Sequence, residues 1–173
     1  MPNQPRGFAP QDIYDVLAQL QIPFARHDHA AVFTCEEAER AVPAAPDTTH
    51  TKNLFLRDKR GRRHWLLVTD CAKAVDLRQL APRIGADHVS LASPERLAKY
   101  LGVTPGAVTI LALINDRDHA VELFVDADVW RGGRLSCHPL VNTSTLVLER
   151  VDLERFLAMT GHVPTVIQVA ERP

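Results

Sequence analysis

The sequence contains few cysteines and few aromatic residues, and neither sign of charge is in large excess. Its 173 residues include 3 cysteines, aromatic residues make up 6%, and the formal net charge at pH 7 is −1. Because the charges nearly cancel, the chain as a whole is not a polycation, and any contact with nucleic acid must come from a local patch. An apolar fraction of 46% beside a charged fraction of 24% predicts one globular domain with a sizeable core.

The cysteines and the short apolar runs bear on the compartment. Cys35, Cys71 and Cys137 are odd in number, widely spaced and without a CxxC pair, so we predict no disulfide framework and a reducing compartment. No apolar run approaches the length of a membrane span, and the polar, Pro-rich N-terminus has no hydrophobic signal core. We expect a cytoplasmic protein with a flexible tail at residues 1–9 and a single domain at residues 10–173.

The motifs of several common enzyme classes are missing. The chain has no P-loop, no Rossmann glycine fingerprint, no HExxH and no GxSxG motif. His27 and His29 share one face of a predicted strand, but no third metal ligand follows at convincing spacing, so a solvated strand face is favoured. These absences exclude most cofactor-dependent chemistry and most nucleophilic hydrolases, and we predict no cofactor and no metal.

The order of predicted elements indicates the fold class. Apolar spacing and caps predict helices that begin near Pro10, Thr34, Asp76 and Ser93, and a last helix that ends at Gly161. The predicted strands cover residues 24–29, 50–58, 64–70, 111–114, 120–125, 135–138, 145–149 and 163–169. Because hairpins are mixed with helices, we predict an α/β (α+β) fold, a mixed and mostly antiparallel sheet or partial barrel flanked by helices.

The strand at residues 50–58 carries the most unusual pattern in the chain. Side chains alternate along a strand, so Lys52, Leu54 and Leu56 share one face. Burial disfavours an ammonium group, and a lysine in line with two leucines therefore needs a partner or a function. From the pattern alone, the favoured alternative is a strand-end lysine whose stem packs while its amine reaches water.

Two loops and a basic cluster are further candidates. The turn Thr104-Pro105-Gly106 can expose backbone N–H groups to an oxyanion, although a Pro-Gly turn is more often only a turn. His138 precedes a proline and is held extended, which sets the direction of its ring; a capped loop without function is an equal alternative. The tip of a predicted hairpin is basic and could contact a phosphate backbone, although such a run is more often a solvated turn. Its basic residues are Arg57, Lys59, Arg60, Arg62 and Arg63.

These segments, taken in order, resemble the YbaK/prolyl-tRNA synthetase-associated domain family. Residues 50–58 are similar to its signature strand, and residues 101–109 followed by 113–116 are similar to its glycine loop. Residues 138–142 and 152–161 also match. The resemblance covers about residues 10–170 and is strongest for the freestanding branch that resembles alanyl-tRNA(Pro) deacylases.

The resemblance implies a trans-editing aminoacyl-tRNA hydrolase, a metal-independent carboxylic ester hydrolase that acts on mischarged tRNA(Pro), above all Ala-tRNA(Pro). A smaller amino acid cannot be kept out of a proline site by binding alone, so a second, smaller sieve is needed. The implied partner is the tRNA(Pro) acceptor end, with prolyl-tRNA synthetase as a second candidate and no membrane or DNA partner. The alternatives are a deacylase for Ser- or Cys-charged tRNA and a non-catalytic module that binds tRNA or a nucleotide.

The resemblance also implies roles for individual residues. Lys52 matches the lysine that the family requires, and we assign it to anchoring the terminal phosphate or the amino acid. Amides around Gly106 would stabilise the oxyanion, and the substrate's ribose hydroxyl would help to activate water. Asn53 and His138 would orient substrate or water. The other predicted substrate-binding residues are Thr51, Thr104, Pro105 and Ala107, Asn142 as a loop support, and Val32, Phe33 and Leu54 as a small apolar pocket.

One position departs from the family pattern. The glycine loop of the family is often written GxxxP, whereas residues 106–110 of this chain end in Ile110. Without the proline we expect a less rigid loop and a weaker oxyanion site. This departure is the main support for the non-catalytic alternative.

Overall fold

The structure, a computed structural model, describes residues 7–43 and 45–172. Most of the predicted tail at residues 1–9 lies outside the described residues. The helices are α1 (Pro10–Gln19), α2 (Cys35–Ala41), α3 (Leu77–Arg83), α4 (Pro94–Leu101), α5 (Ala127–Trp130) and α6 (Arg150–Thr160), with a 3-10 helix at Ile110–Asn115. The strands are β1 (Ala25–Asp28), β2 (Thr48–Asp58), β3 (His64–Asp70), β4 (Val89–Leu91), β5 (Val121–Asp126), β6 (Arg134–Cys137), β7 (Ser144–Glu149) and β8 (Thr165–Ile167).

The strands form one mixed sheet with the helices packed around it. The order is β1-β7-β6-β2-β3-β5-β8, and β4 pairs with β2. The pairs β1–β7, β6–β7, β2–β3 and β2–β4 are antiparallel, and β2–β6, β3–β5 and β5–β8 are parallel. The predicted fold class is confirmed, as is the hairpin of β2 and β3, whose register runs from Thr51 opposite Asp70 to Arg57 opposite His64.

The strand β3 is buried on both faces, as its continuous apolar run predicts. Trp65 and Leu67 belong to one apolar cluster, and Leu66 and Val68 belong to the cluster on the opposite side of the sheet. All four side chains are at most 1% exposed. The β2–β3 hairpin is therefore a fixed platform between two cores, and Lys52 sits on β2 opposite Thr69 near the end of that platform. No described helix is long and apolar enough to cross a bilayer.

One predicted strand was wrong. Residues 111–114 lie in the 3-10 helix Ile110–Asn115, which Thr109 caps by accepting the Leu111 N–H at 3.3 Å. All residues from Ile110 to Ile114 are buried. A short segment that is buried on every side has no polar alternation, so periodicity cannot separate a strand from a helical turn.

The prediction that the cysteines form no disulfide was also wrong. Cys35, at the start of α2, is bonded to Cys71, directly after β3, across 36 sequence positions. Such a spacing carries no local signal, and only the tertiary fold brings the two residues to a Cα–Cα distance of 5.6 Å. Cys137 is free and buried, and burial raises the pKa of its thiol to about 12. The expectation of a reducing compartment loses the support that it took from the cysteines.

Candidate functional site

A cavity of about 230 Å³ lies between β2, the end of β3, α2 and the glycine turn. Three residues of different chemistry that are distant in sequence, Lys52, Gly106 and His138, all line this cavity. The complete lining is Val32, Phe33, Thr34, Cys35, Ala38, Thr51, Lys52, Asn53, Cys71, Gly106, Val108 and His138. A larger depression of about 770 Å³ beside α3 contains none of the predicted site residues, so we assign the site to the smaller cavity.

Lys52 supplies a partly desolvated cation to the cavity. Its Nζ donates to the Cys71 carbonyl at 3.1 Å, and it has no ion-pair partner in the part of the chain that the structure describes. Burial lowers the pKa of Lys52, and the carboxylates of Asp70, Glu36 and Glu171 oppose that shift. An ammonium group has three N–H donors, so donors remain for an anionic ligand after the bond to Cys71 is made.

His138 supplies an imidazole whose tautomer follows from its hydrogen bond. Its Nδ1 lies 2.9 Å from the Ser144 carbonyl, which can only accept, so Nδ1 carries the proton. The Nε2 of the neutral ring is therefore left as a base. Burial lowers the pKa of His138; the bond to Ser144 opposes this shift, and His29, whose ring centre is 6.4 Å away, adds to it. The ring is neutral at pH 7 and able to accept a proton.

Asn53 supplies a hydrogen-bond acceptor to the cavity. Its Oδ1 is buried and has no hydrogen-bond partner among the described residues, although the residue lines the cavity. A buried polar atom left unpaired costs about 1–3 kcal/mol. A ligand N–H or O–H would relieve that cost. The neighbouring Thr51 is engaged differently, since its hydroxyl donates to the Ser136 carbonyl at 2.6 Å and ties β2 to β6.

Gly106 occupies a turn that favours glycine. Its φ is +90°, and a Cβ there would lie 3.1 Å from Phe33 Cδ1 and 3.2 Å from Asn142 Nδ2. Asn142 Nδ2 donates to the Val32 carbonyl at 2.9 Å, and the Val32 N–H donates to the Asn142 carbonyl at 3.0 Å. The segment that carries Val32 and Phe33 is thereby held against the glycine turn. The Phe33 ring is 72% exposed at the mouth of the cavity.

Some of the predicted substrate-binding residues do not line the cavity. Leu54 packs against the apolar cluster that contains Trp65 and Leu67. Thr104 and Pro105 are exposed on the glycine turn, and Ala107 is buried in the larger core cluster. Asn142 is also absent from the lining, whereas Val32 and Phe33 of the predicted apolar pocket belong to it.

The wall formed by α2 was missed in the sequence. Thr34, Cys35 and Ala38 line the cavity, together with Cys71 from the other side. The capping box that predicts α2 is present, with Glu37 Oε2 accepting from the Thr34 N–H. A cap shows where a helix begins but not what the helix packs against. Among the described residues no group of three or more His, Cys, Asp or Glu side chains is placed to hold a metal.

Comparison with known proteins gives the family. The model of the aminoacyl-tRNA editing domain matches residues 29–156. The chain is 36% identical over 161 residues to the prolyl-tRNA editing protein ProX of Acetoanaerobium sticklandii, which covers 93% of this chain and 98% of that protein. It is 34% identical over 164 residues to prolyl-tRNA synthetase associated domain-containing protein 1 of Danio rerio, covering 91% of this chain and 85% of the relative.

Solved structures agree on the fold. A candidate trans-editing enzyme for prolyl tRNA synthetase superposes with a TM-score of 0.70 at 17% identity and covers 94% of this chain and 97% of its own. At that identity the match shows a shared fold and no more. The match to the editing-domain model and the identity to full-length relatives show that the chain belongs to the aminoacyl-tRNA editing domain family.

Proposed function

We propose that this protein hydrolyses the ester bond of mischarged tRNA(Pro), with Ala-tRNA(Pro) as its preferred substrate. The observation that carries the proposal is a single cavity lined by a partly desolvated cation, an unpaired amide oxygen, a glycine turn and a neutral imidazole. Family membership and the name of the A. sticklandii relative support the same substrate class. A space of about 230 Å³ suits the aminoacyl end of a charged tRNA with a small side chain.

Lys52 and Asn53 bind different parts of the substrate. The Lys52 ammonium binds the terminal phosphate, where its remaining N–H donors meet phosphate oxygens. Asn53 Oδ1 accepts a hydrogen bond from the substrate's α-ammonium group, which satisfies the buried oxygen. Each residue thus holds one end of the aminoacyl ester, and the carbonyl is placed between them.

The reaction itself needs a base and an oxyanion site. Water attacks the ester carbonyl while His138 Nε2, helped by the free ribose hydroxyl, takes its proton. The Ala107 N–H is already bonded to the Thr104 carbonyl at 3.0 Å, so the turn offers the Gly106 N–H to the oxyanion. Collapse of the tetrahedral intermediate breaks the bond to the ribose oxygen, which leaves with the proton, and free amino acid and tRNA result.

The proposal is tested with Ala-, Ser-, Cys- and Pro-tRNA(Pro) as substrates for wild type and for Lys52→Ala. We expect release of alanine above the enzyme-free rate, little release of proline, and loss of activity in Lys52→Ala with its fold retained. The proposal fails if Ala-tRNA(Pro) stays intact at high enzyme concentration while a control deacylase cleaves it. If serine or cysteine is released faster than alanine, the tRNA charged with that amino acid is the preferred substrate instead of Ala-tRNA(Pro).

The alternative function is a module that binds charged tRNA without hydrolysis, which the sequence suggests because Ile110 stands where the family's loop has a proline. Ile110 is 2% exposed and opens the 3-10 helix that follows the glycine turn. Its burial anchors the end of the loop that a proline would otherwise stiffen, which favours a working oxyanion site. Charged tRNA that is retained intact, with an affinity that falls steeply with salt, would support the alternative instead.

The cellular setting belongs to the same proposal. A substrate made during protein synthesis would be met in the cytoplasm, next to prolyl-tRNA synthetase. A pull-down of the synthetase with this protein, with and without tRNA(Pro), tests whether the two form a complex. If the synthetase is recovered neither with nor without tRNA(Pro), the proposed complex with the synthetase is wrong and tRNA is the remaining proposed partner.

A further inference from the structure

The disulfide joins two sides of the cavity that are held in different ways. Cys35 and Cys71 both line the cavity, and the carbonyl of Cys71 accepts the hydrogen bond from Lys52 Nζ. The bond therefore touches the wall made by α2 and the backbone that positions the cation. Any change in this covalent link reaches the candidate site directly.

The side that carries Cys71 is firmly fixed. The Cys71 N–H donates to the His50 carbonyl at 2.9 Å. Two residues further on, Lys73 is 8% exposed and its Nζ lies 2.7 Å from both Asp126 and Asp128. A buried ion pair with these hydrogen bonds locks the segment after β3 onto β5. This side of the cavity does not depend on the disulfide for its position.

The side that carries Cys35 is weakly held. The helix α2 has seven residues, and none of them is buried. Val32 before it and Val42 after it are buried, at 6% and 2% exposed, so both ends of the segment are anchored. A helix this short is marginal without packing, and between those anchors the disulfide is the covalent tie to the sheet.

We propose that Cys35–Cys71 is a reversible thiol–disulfide exchange site, at which a dithiol reductant frees α2 from the cavity wall and weakens the hold on substrate. A thiolate of the dithiol attacks the sulfur of Cys35, the less buried of the two residues. The S–S bond breaks, and Cys71 leaves as a thiolate that takes a proton. The second thiol of the reductant then displaces Cys35, giving two protein thiols and one oxidised reductant. Cys137 stays outside the exchange because its buried thiol does not ionise at neutral pH.

The consequence for catalysis rests on the proposed function, while the exchange itself does not. In the oxidised protein α2 completes the cavity around the aminoacyl end. In the reduced protein Thr34 and Ala38 are no longer held against β2, and KM should rise more than kcat falls. A disulfide in a protein that works on aminoacyl-tRNA fits a redox-responsive role better than a purely structural one.

The first test uses the purified full chain, equilibrated with reduced and oxidised dithiothreitol. Thiols are counted by alkylation after denaturation, and hydrogen exchange is measured by mass spectrometry. We expect one thiol in the oxidised protein and three in the reduced one, with full reversal. Exchange of the α2 amides should rise roughly tenfold or more on reduction, while β2 and β3 stay protected.

Variants separate the exchange from general loosening. Cys137→Ala should keep the response of α2 to reduction, whereas the double variant Cys35→Ala/Cys71→Ala should exchange fast in α2 under both conditions. Equal hydrogen exchange of the α2 amides in the reduced and oxidised wild type would overturn the proposal. A disulfide that dithiothreitol does not reduce in the folded protein would overturn it as well.

Deacylation is then measured in both redox states. A KM that rises on reduction of wild type but not of the double variant is the expected result. An unchanged KM would overturn the link to substrate. If neither state hydrolyses Ala-tRNA(Pro), the proposed function fails, while the thiol count and the α2 exchange still decide whether the exchange site is real.

Discussion

At the scale of single residues, the cavity is chemically specific because several side chains are held in unusual states. His138 is kept neutral by burial, and Lys52 is partly desolvated and donates to the Cys71 carbonyl. Asn53 has a buried oxygen for which the described residues provide no partner. Each state is unfavourable by itself or leaves hydrogen-bonding capacity unused. Perturbed polar groups that meet in one cavity are typical of a functional site.

The state of His138 predicts the acid side of the pH profile. Its pKa is lowered from the ordinary 6.5, so kcat/KM should hold at neutral pH and fall only below 6.5, as the ring is protonated. The stability of the fold changes in the same direction. The His138 ring has the higher pKa in the unfolded state and is protonated there first, so the free energy of unfolding decreases as the pH falls below 6.5. Deacylation measured from pH ~5 to ~8 with enzyme-free hydrolysis subtracted gives the profile, and His138→Gln should remove its acid limb. An acid limb centred above 6.5 would contradict the assignment.

Asn53 should show opposite effects on activity and on stability. Asn53→Ala removes a buried unpaired oxygen, so the free energy of unfolding should stay level or rise by up to ~1 kcal/mol, while kcat/KM falls roughly 10- to 100-fold. Thr51→Val is the matched control, since it deletes a hydroxyl that is already bonded to Ser136 and should cost ~1 kcal/mol of stability. Urea unfolding and deacylation rates on both variants give the comparison. A loss of stability in Asn53→Ala would mean that the oxygen has a partner within the protein.

At the scale of elements, the site is assembled where a rigid hairpin meets segments held by few contacts. The β2–β3 hairpin is fixed by two apolar clusters, whereas α2 has no buried residue. At the other end of the hairpin, part of the basic cluster is used within the protein. Arg57 donates to the carbonyls of Asp58 and Lys59, and Arg63 pairs with Glu122. These bonds support the interpretation of the tip as a solvated turn.

The glycine turn provides a test in which backbone strain and side-chain clash can be separated. Gly106→Ala places a Cβ at φ +90° and within 3.2 Å of Phe33 and Asn142, so it should cost more than ~1 kcal/mol and most of the activity. Gly85→Ala is the control, because its φ is +67° but nothing lies within 4 Å of the added Cβ. It should cost ~1 kcal/mol of strain and leave deacylation unchanged. Equal activity of the two variants would remove the glycine turn from the mechanism.

At the scale of the whole molecule, one mixed sheet with a core on each face supports a candidate site near one end of its central β2–β3 hairpin. The disulfide closes a loop that spans β2 and β3, from Cys35 to Cys71, and so ties the site to this platform. Cross-linking limits the freedom of the unfolded chain, and a loop of this length contributes about 3–4 kcal/mol in the chain-entropy model. The protein is thus stabilised globally by the same bond that shapes the cavity locally.

Reduction should therefore lower the stability of the whole domain without unfolding it. We expect the free energy of unfolding in urea to fall by about 3–4 kcal/mol on reduction, with far-UV circular dichroism unchanged in water. The variant Cys35→Ala/Cys71→Ala should match the reduced protein and show no redox dependence. Cys137→Ala should retain the difference between the two redox states. Identical transitions for oxidised and reduced wild type would show that the bond does not constrain the unfolded chain.

The local architecture and the family follow from the sequence, because their signals act over a few residues. The cap at Ser93, the left-handed Gly102 that ends α4 and the apolar run of β3 all lie where the pattern predicts them. The motifs of the editing-domain family lie in order along the chain, and the family prediction is confirmed. The prediction of a strand at residues 111–114 is wrong because the buried residues Ile110 to Ile114 of the 3-10 helix offer no polar alternation.

The tertiary structure determines which residues come together in the candidate site. Asn142 holds Val32 from 110 positions away, and Cys35 meets Cys71 across 36 positions. No local pattern encodes such contacts, because each depends on how strands far apart in the chain are ordered in the sheet. The sequence by itself determined which chemical groups are available and the class of fold that carries them. Only the folded chain determined which of these groups share a cavity, because burial and hydrogen bonding between distant segments arise when the sheet packs against a core on each of its faces.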